Sequence, residues 1–336
     1  MARRAEFVPY RPKTILNKGK RADHWFWTRY TAYPYKGCMH GCEYCCFREK
    51  RYYPFDDPRD FAYRIEVKEN APDLLRRALS RAPVDIIGTG DYQPAERKFY
   101  LSRQMLEIWL ELGFPVSVLE RSPLVLRDLD LLQEINQRAR AVMIWSIIYT
   151  PDSAHRGTPR QLERLAPPPE KRFSGMVQVA KAGILTGTCM MPILPQVYDT
   201  DENLEAVVRW TAEHGGQFVM VGGLTLADQQ REYFFGVLDE RLSDLADRYR
   251  HLYPTGSYGP ARSNWKQIAL RPRELGEQHG ISDRMPRPII AGDKRTLNKR
   301  VVETLAGQIY RMELQGESSQ RVWAYRKAAW AIEDTP

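Results

Sequence analysis

The 336 residues carry 50 lysines and arginines against 42 aspartates and glutamates, a formal net charge of +8, and 43% of them are hydrophobic. That is the composition of an ordinary soluble globular chain, long enough for one large core or one core with a small appendage. No run of about eighteen apolar residues marks a membrane-spanning helix, and the basic start leads into Pro9, Arg11, Lys13 and Lys18 rather than the apolar core of a signal peptide.

In chain order, residues 1–24 read as an extended basic arm, and 25–35 alternate and are aromatic-rich, which predicts the first strand. A thiol-rich loop follows, then a polar, proline-containing loop over 48–64. Helices are predicted at 70–82 and 97–112 around a short strand at 84–87, which ends in Gly88-Thr89-Gly90-Asp91. Strands at 115–119, 141–149, 185–191 and 217–221 then alternate with helices at 124–138, 169–182 and 201–214. Strands and helices in this alternation mean βαβ units and a parallel sheet, hence an α/β fold. Beyond Gly222-Gly223 the pattern changes. One long helix is predicted over 227–251, an irregular stretch rich in Pro, Gly and Arg over 254–295, and helices over 298–312 and 319–332 with a break near Gly316.

The chemistry-bearing stretch is Cys38-Met-His-Gly-Cys42-Glu-Tyr-Cys45, followed directly by Cys46; the remaining cysteine is Cys189. Five cysteines are too sparse, and odd in number, for a disulfide framework. Structural zinc wants four ligands, and here His40 or Cys46 would have to complete the set. Three cysteines in a C-x3-C-x2-C run also suit a 4Fe–4S cube with one iron left open to a chelating ligand. Free, clustered thiols fit a reducing, cytoplasmic setting.

This run, with Tyr44 before the last cysteine, resembles the signature of the radical S-adenosylmethionine superfamily. The resemblance implies a partial (β/α)6 barrel over residues 28–253, preceded by a basic arm at 1–27 and followed by an irregular extension at 254–295 and a helical segment at 296–336. It also implies that Cys38, Cys42 and Cys45 hold a 4Fe–4S cluster. S-adenosylmethionine chelates the open iron, and an electron from a donor such as flavodoxin or ferredoxin cleaves it to a 5'-deoxyadenosyl radical. By the same resemblance the Gly88–Asp91 turn holds the methionine amino group, with Asp91 as the carboxylate and Gly88 and Gly90 allowing close backbone approach. Arg121 and Ser122 follow the next strand, where a guanidinium suits the cofactor's carboxylate. Ser146 lies on the fourth strand, and Tyr44, Phe47 and Ile193 are candidates to enclose adenine and ribose. For each of these the ordinary alternative is a capping, core or surface role. Such residues gather at carboxyl ends of strands, where α/β folds place their sites.

Tyr35 to Cys45, Val67 to Asn70, Asp91 to Glu96, Arg121 to Asp130, Ala166 to Arg172 and Met191 to Pro195 together are similar to the spore photoproduct lyase-like radical enzymes. That likeness spans roughly 28–220 and implies a lyase-type enzyme, with DNA repair as the family's known activity. The family's hydrogen-donating cysteine near the strand after the cluster loop is missing here; Gly88-Thr89-Gly90-Asp91 stands in its place. Cys189 is an alternative donor and Tyr92 an alternative relay.

Basic and aromatic residues are interleaved around the loop: Trp25, Trp27, Tyr30, Tyr52 and Tyr53 lie among Lys18, Lys20, Arg21, Arg48, Lys50 and Arg51. With the net charge this favours a polyanionic partner such as DNA. The carboxyl-terminal stretch, with Ala324-Tyr-Arg-Lys-Ala-Ala329 at its centre, is similar to the start of the helical lyase domain of family X DNA polymerases. The resemblance implies phosphate contacts from Arg321, Arg326 and Lys327; the plain alternative is a basic helical pair packed on the barrel. Three functions remain in play: a radical enzyme acting on DNA, one acting on RNA, a nucleotide or a protein, and a metal-stabilised nucleic-acid-binding protein without turnover.

Overall fold

The computed structural model describes residues 3–53, 56–153, 157–260 and 265–335. The amino-terminal segment forms strands β1 (Glu6–Tyr10) and β2 (Asn17–Lys18), followed by β3 (Tyr30–Thr31), β4 (Tyr35–Lys36) and β5 (Arg64–Lys68). Then come β6 (Ile87–Thr89), β7 (Val116–Glu120), β8 (Ala141–Ser146), β9 (Leu185–Ile193) and β10 (Val219–Gly223). The helices are α1 (Ala71–Leu79), α2 (Glu96–Phe99), α3 (Leu101–Leu112), α4 (Leu129–Arg138), α5 (Gly157–Leu162) and α6 (Pro169–Lys181). They continue as α7 (Asp201–Glu213), α8 (Asp228–Arg241), α9 (Ser243–Leu252), α10 (Trp265–His279), α11 (Thr296–Gln315) and α12 (Ser319–Asp334).

The main sheet has the order β10-β9-β8-β7-β6-β3-β2, and every pair from β3 to β10 is parallel. From β6 to β10 strands consecutive in the chain are adjacent in the sheet, each pair joined by a crossover that contains helix, while β3 reaches β6 by way of β4, β5 and α1. Among the described residues the edges β2 and β10 do not meet. The arrangement is an open, partial (β/α)6 barrel. A smaller sheet, β1-β5-β4, stands beside it and leads from β4 straight into the cysteine loop.

The pleat sorts the side chains. Ala141, Met143 and Trp145 of β8 pack outward with Met105, Leu132, Phe173 and Met176 of the helical layer. Val142 and Ile144 face the other way, as do Cys189 and Met220, against Trp27, Met285 and the apolar stripe Val302, Ala306, Ile309 and Met312 of α11. The α11–α12 hairpin thus fills the concave side of the sheet. Gly316, at φ +75°, ends α11, and the Ser318 hydroxyl caps α12 by accepting from the Arg321 amide.

Several expected elements differ for physical reasons. The strand expected at 25–35 shrinks to β3, because the Asp23 carboxylate accepts from the amides of Trp25, Phe26 and Thr28 and closes a turn. The basic arm is itself partly strand, with β1 pairing parallel to β5. The helix expected at 97–112 is interrupted by Tyr100 at φ +54°, and buried Glu96 accepts from the Ser102 amide to start α3. The helix expected over 227–251 breaks at Leu242 into α8 and α9. The stretch 254–295, expected irregular, contains α10 despite Pro272. Burial of Ile268, Ala269 and Leu275 against α7 and β10 offsets the lost backbone bond. Among the described residues no helix is long and apolar enough to cross a membrane.

Candidate functional site

The cysteine loop begins where β4 ends, and its backbone is held from outside by named side chains. Gly37 (φ +78°) turns the chain so tightly that a Cβ there would lie 2.9 Å from the carbonyl oxygens of Phe61 and Arg64. The Cys38 amide then donates to the Phe61 carbonyl at 2.8 Å. Gln93, fully buried, clasps the loop twice: it accepts from the Met39 amide and donates to the Gly37 carbonyl, both at 3.0 Å. Arg48, 1% exposed, donates to the carbonyls of Cys42, Gly41 and Pro58 at 3.0, 3.1 and 2.7 Å. Its guanidinium lies over the rings of Phe61 and Tyr233. From the far side Arg241 of α8 pairs with Glu43 at 2.6 Å, and Gln230 donates to the Tyr44 carbonyl at 3.3 Å. A loop whose carbonyls are satisfied by buried side chains is preorganised.

All five cysteines are free, with Cys42 buried and Cys38 and Cys45 partly so. Burial pushes the Cys38 thiol well up and Cys42 up to about 12; Cys45 is raised first by its hydrogen bond with Cys46 and then by burial. Such thiols keep their protons until a metal displaces them. Among the described residues no three His, Cys, Asp or Glu side chains are gathered as a single metal ion needs. A cube presents a different iron to each thiolate, so its donors spread over separate corners, and the loop fits that donor set. Cys46 is exposed and lies outward of the three. His40 is 4% exposed with both ring nitrogens unpaired; burial and the charges of Arg121 and Arg172 push it down to about 3.

Glu163 forms a hub under this loop. It accepts from the Tyr44 hydroxyl, from Arg121 at 2.7 Å and from Arg172 at 2.5 Å. Arg121 also donates to the Ser146 hydroxyl at 2.9 Å, and Arg172 to the Ser146 carbonyl at 2.8 Å. Burial alone would raise the Glu163 carboxyl, but the two guanidinia outweigh it and hold it near 2. Arg121, Tyr44 and Ser146, chosen separately from the sequence, are therefore one hydrogen-bonded unit. Glu163, Arg172 and Gln93 have no such role in the sequence reading, and Arg48, expected with Trp27, Tyr30 and Tyr53 to face a polyanion, is instead buried with those three rings.

The remaining candidates separate. Asp91 sits on left-handed backbone (φ +79°), accepts from the Tyr35 amide at 3.4 Å, and is pushed up to about 7 by burial and by Glu120. A Cβ on Gly90 would lie 2.7 Å from the Leu119 carbonyl oxygen, and one on Gly88 3.0 Å from Thr28, so both glycines are needed for chain packing itself. Ser122 caps the turn after β7, accepting from the Leu124 amide. Ile193 is buried in the cluster that contains Cys42 and Tyr44. Phe47 is 43% exposed and packs edge-on to Tyr33. Cys189 pairs in register with Ser146 and shares its concave face, where burial raises its thiol to about 12. On the same face Leu119 is 36% exposed, which marks an opening near the carboxyl edge. Tyr92, expected as a relay, instead packs in the outer helical cluster and donates to Asp128 at 3.0 Å. Arg321 pairs with Glu317 and Arg326 with Glu313, while Lys327 is exposed. Trp25 and Trp330 do converge on one groove with Arg326 and Arg284, but its charges are largely compensated.

Fold and site together define an open parallel α/β sheet with a preorganised, thiol-bearing loop at its carboxyl edge. No family model matches the chain. It is 31% identical over 239 residues to the uncharacterized proteins Rv2578c of Mycobacterium tuberculosis and Mb2609c of Mycobacterium bovis, covering 69% of this chain and 69% of each of them. The chain belongs to the family of these mycobacterial proteins. The uncharacterized protein MJ0683 of Methanocaldococcus jannaschii is 25% identical over 203 residues, 60% of this chain and 73% of that protein. Among solved structures, Streptococcus suis SuiB bound to S-adenosylmethionine is similar at a TM-score of 0.42 and 12% identity, over 65% of this chain and 47% of that one. Methylornithine synthase (PylB) is similar at 0.40 and 13%, over 88% and 84%.

Proposed function

We propose that this chain is a radical S-adenosylmethionine enzyme in which Cys38, Cys42 and Cys45 hold a 4Fe–4S cluster. The observation that carries the reading is the loop itself: three unbonded thiols on a backbone fixed by Arg48, Gln93 and Gln230. When bound, the cluster and S-adenosylmethionine supply a carbon radical that removes a hydrogen atom from substrate. The chain's own residues bind and orient. Arg121, fixed by Glu163 and Ser146, offers a cation beside the loop for the cofactor's carboxylate. Asp91, which holds its proton near neutrality, becomes charged against an arriving ammonium group. Tyr44 and Ile193, buried in one apolar cluster with Cys42, are the residues assigned to the cofactor's apolar side, and the Cys189 thiol, on the concave face, is the candidate hydrogen donor.

For the substrate we propose a nucleic acid, with lyase-type action on damaged DNA the leading case. Support comes from the net charge of +8 and from the resemblance of the loop and strand ends to spore photoproduct lyase-like enzymes. One observation favours another substrate, a nucleotide, RNA or protein. The carboxyl-terminal helices pack into the concave face, and Arg321 and Arg326 face carboxylates.

The test is anaerobic reconstitution with iron and sulfide, followed by reductive cleavage of S-adenosylmethionine in wild type and Cys42→Ala. About four irons per chain, and 5'-deoxyadenosine lost in the variant, are expected. Bound zinc with no deoxyadenosine would leave a binding protein without turnover.

A further inference from the structure

Folding divides the aromatic residues around the cysteine loop into two sets. Trp27, Tyr30 and Tyr53 go into the interior, while Tyr52 stays outside with Lys50 and Arg51. Among the described residues five aromatic side chains are exposed, and three of them belong to one surface: Phe47, Tyr52 (40%) and Tyr258 (51%). That surface is continuous. The Phe47 ring lies 4.9 Å from that of Tyr52 and 5.9 Å from that of Tyr33. The Arg51 guanidinium lies 4.6 Å from the centre of the Tyr52 ring and reaches the Tyr258 hydroxyl at 3.5 Å. Tyr33 follows β3, and the Tyr258 carbonyl accepts from the Leu226 amide just beyond β10. The rings thus run along the carboxyl edge from β3 to β10, passing Phe47, two residues from Cys45.

Charge on this surface is nearly balanced. Arg51 is paired with Glu49 at 2.6 Å, and the exposed Asp228 carboxylate accepts from the Lys50 amide at 3.1 Å. An acidic protein would find little here to hold it. What the surface offers is ring faces, and the ligand that every such face accepts is a nucleobase, whatever its sequence. A duplex keeps those faces in its own stack, so the bases must be unpaired. Tyr52 and Tyr258 stand on either side of the Arg51 guanidinium, which leaves room for more than one base.

We propose that Phe47, Tyr52 and Tyr258 form a stacking platform for an unpaired segment of nucleic acid, which lies along the carboxyl edge and brings one nucleotide to the cysteine loop. The proposal rests on the nucleic-acid reading above and gives it a location. Stacking supplies the affinity, and the single unpaired ammonium of Lys50 adds little. Phe47 then serves the substrate, as its exposed ring allows, rather than the adenine of the cofactor.

The experiment is equilibrium binding to the full chain, with and without reconstituted cluster, so that it does not depend on radical chemistry. The probes are a fluorescent single-stranded oligonucleotide, the same strand with abasic sites in place of its bases, and the duplex. The variants are Tyr52→Leu, Tyr258→Leu, the two together, and Tyr52→Trp. Binding of the single strand should weaken about tenfold for each ring removed. The salt slope should stay the same, because the rings carry no charge. Tyr52→Trp keeps a ring and should keep the affinity, which separates lost stacking from lost fold. The abasic strand and the duplex should bind wild type more weakly than the single strand. Strand binding that the double variant leaves unchanged overturns the platform and spares the nucleic-acid reading; no binding of any probe to wild type removes both. Unchanged strand binding with slower reduction by a flavodoxin-type carrier, while dithionite still drives cleavage of S-adenosylmethionine, would assign the surface to a redox protein and overturn the proposal.

Discussion

Glu163→Gln tests the hub beneath the loop. The substitution keeps the shape of the side chain but leaves buried Arg172 and partly buried Arg121 without the charge that lies between them. A carboxyl that is 2% exposed and held near 2, against an ordinary 4.5, favours its charged form by about 3 kcal/mol. That agrees with the ~3–5 kcal/mol seen when one partner of a buried ion pair is removed. With a urea m value of about 3 kcal/mol/M, the midpoint at neutral pH should fall by about 1 M. The folded carboxyl lies below its unfolded value, so its contribution is full above the unfolded value and is lost as pH falls through about 2. Wild type and variant should therefore converge in acid. Unfolding of the metal-free protein, followed by tryptophan fluorescence, is the assay. An unchanged midpoint at neutral pH would refute the hub, as would a gap that persists when the pH is taken below the folded value.

Two further outcomes are expected. Gly175→Ala on α6 drives a methyl into the ring of buried Trp145, and overpacking of this kind should cost about 1–3 kcal/mol in the same unfolding assay; a neutral result would mean that α6 can shift off the sheet. The Glu333 carboxyl is raised by burial but pulled further down by Arg287, which donates to it at 2.7 Å. Its contribution to docking α12 is present above the ordinary glutamate range and is lost below it. Hydrogen exchange should show α12 loosening below about pH 4 ahead of β7 and β8, and Glu333→Gln should abolish that pH dependence.

The sheet was legible because its helices and strands obey their own periods. Residues 115–119, 141–149 and 185–191 are short strand-like stretches set between helical patterns, and they fall within two or three residues of β7, β8 and β9. The misreadings share a cause, which is that a distant or capping side chain decided the local backbone. Asp23 bends a stretch whose alternation reads as strand, and Tyr100 with Glu96 divides a stretch whose amphipathicity reads as one helix. Composition misled in the same way at 254–295, where tertiary burial keeps α10 helical around Pro272.

The site shows the same division between what a local pattern can encode and what only folding assembles. The thiols are visible because Cys38, Cys42 and Cys45 stand within eight residues of one another in the chain. Arg48 is close too, but nothing in its type or spacing says that its guanidinium will satisfy the carbonyls of Gly41, Cys42 and Pro58 from inside. Gln93, Glu163 and Arg241 bond the loop from 54 to 198 residues away, so no local spacing ties them to it. They hold the loop in one geometry, since each satisfies a polar atom that burial would otherwise leave bare. It follows that losing a support should act differently from losing a thiol. Without Cys42 one of the three proposed ligands is gone whatever the loop does. Without Arg48 all three thiols remain, but three carbonyls lose their donor together and the loop no longer presents them in one arrangement.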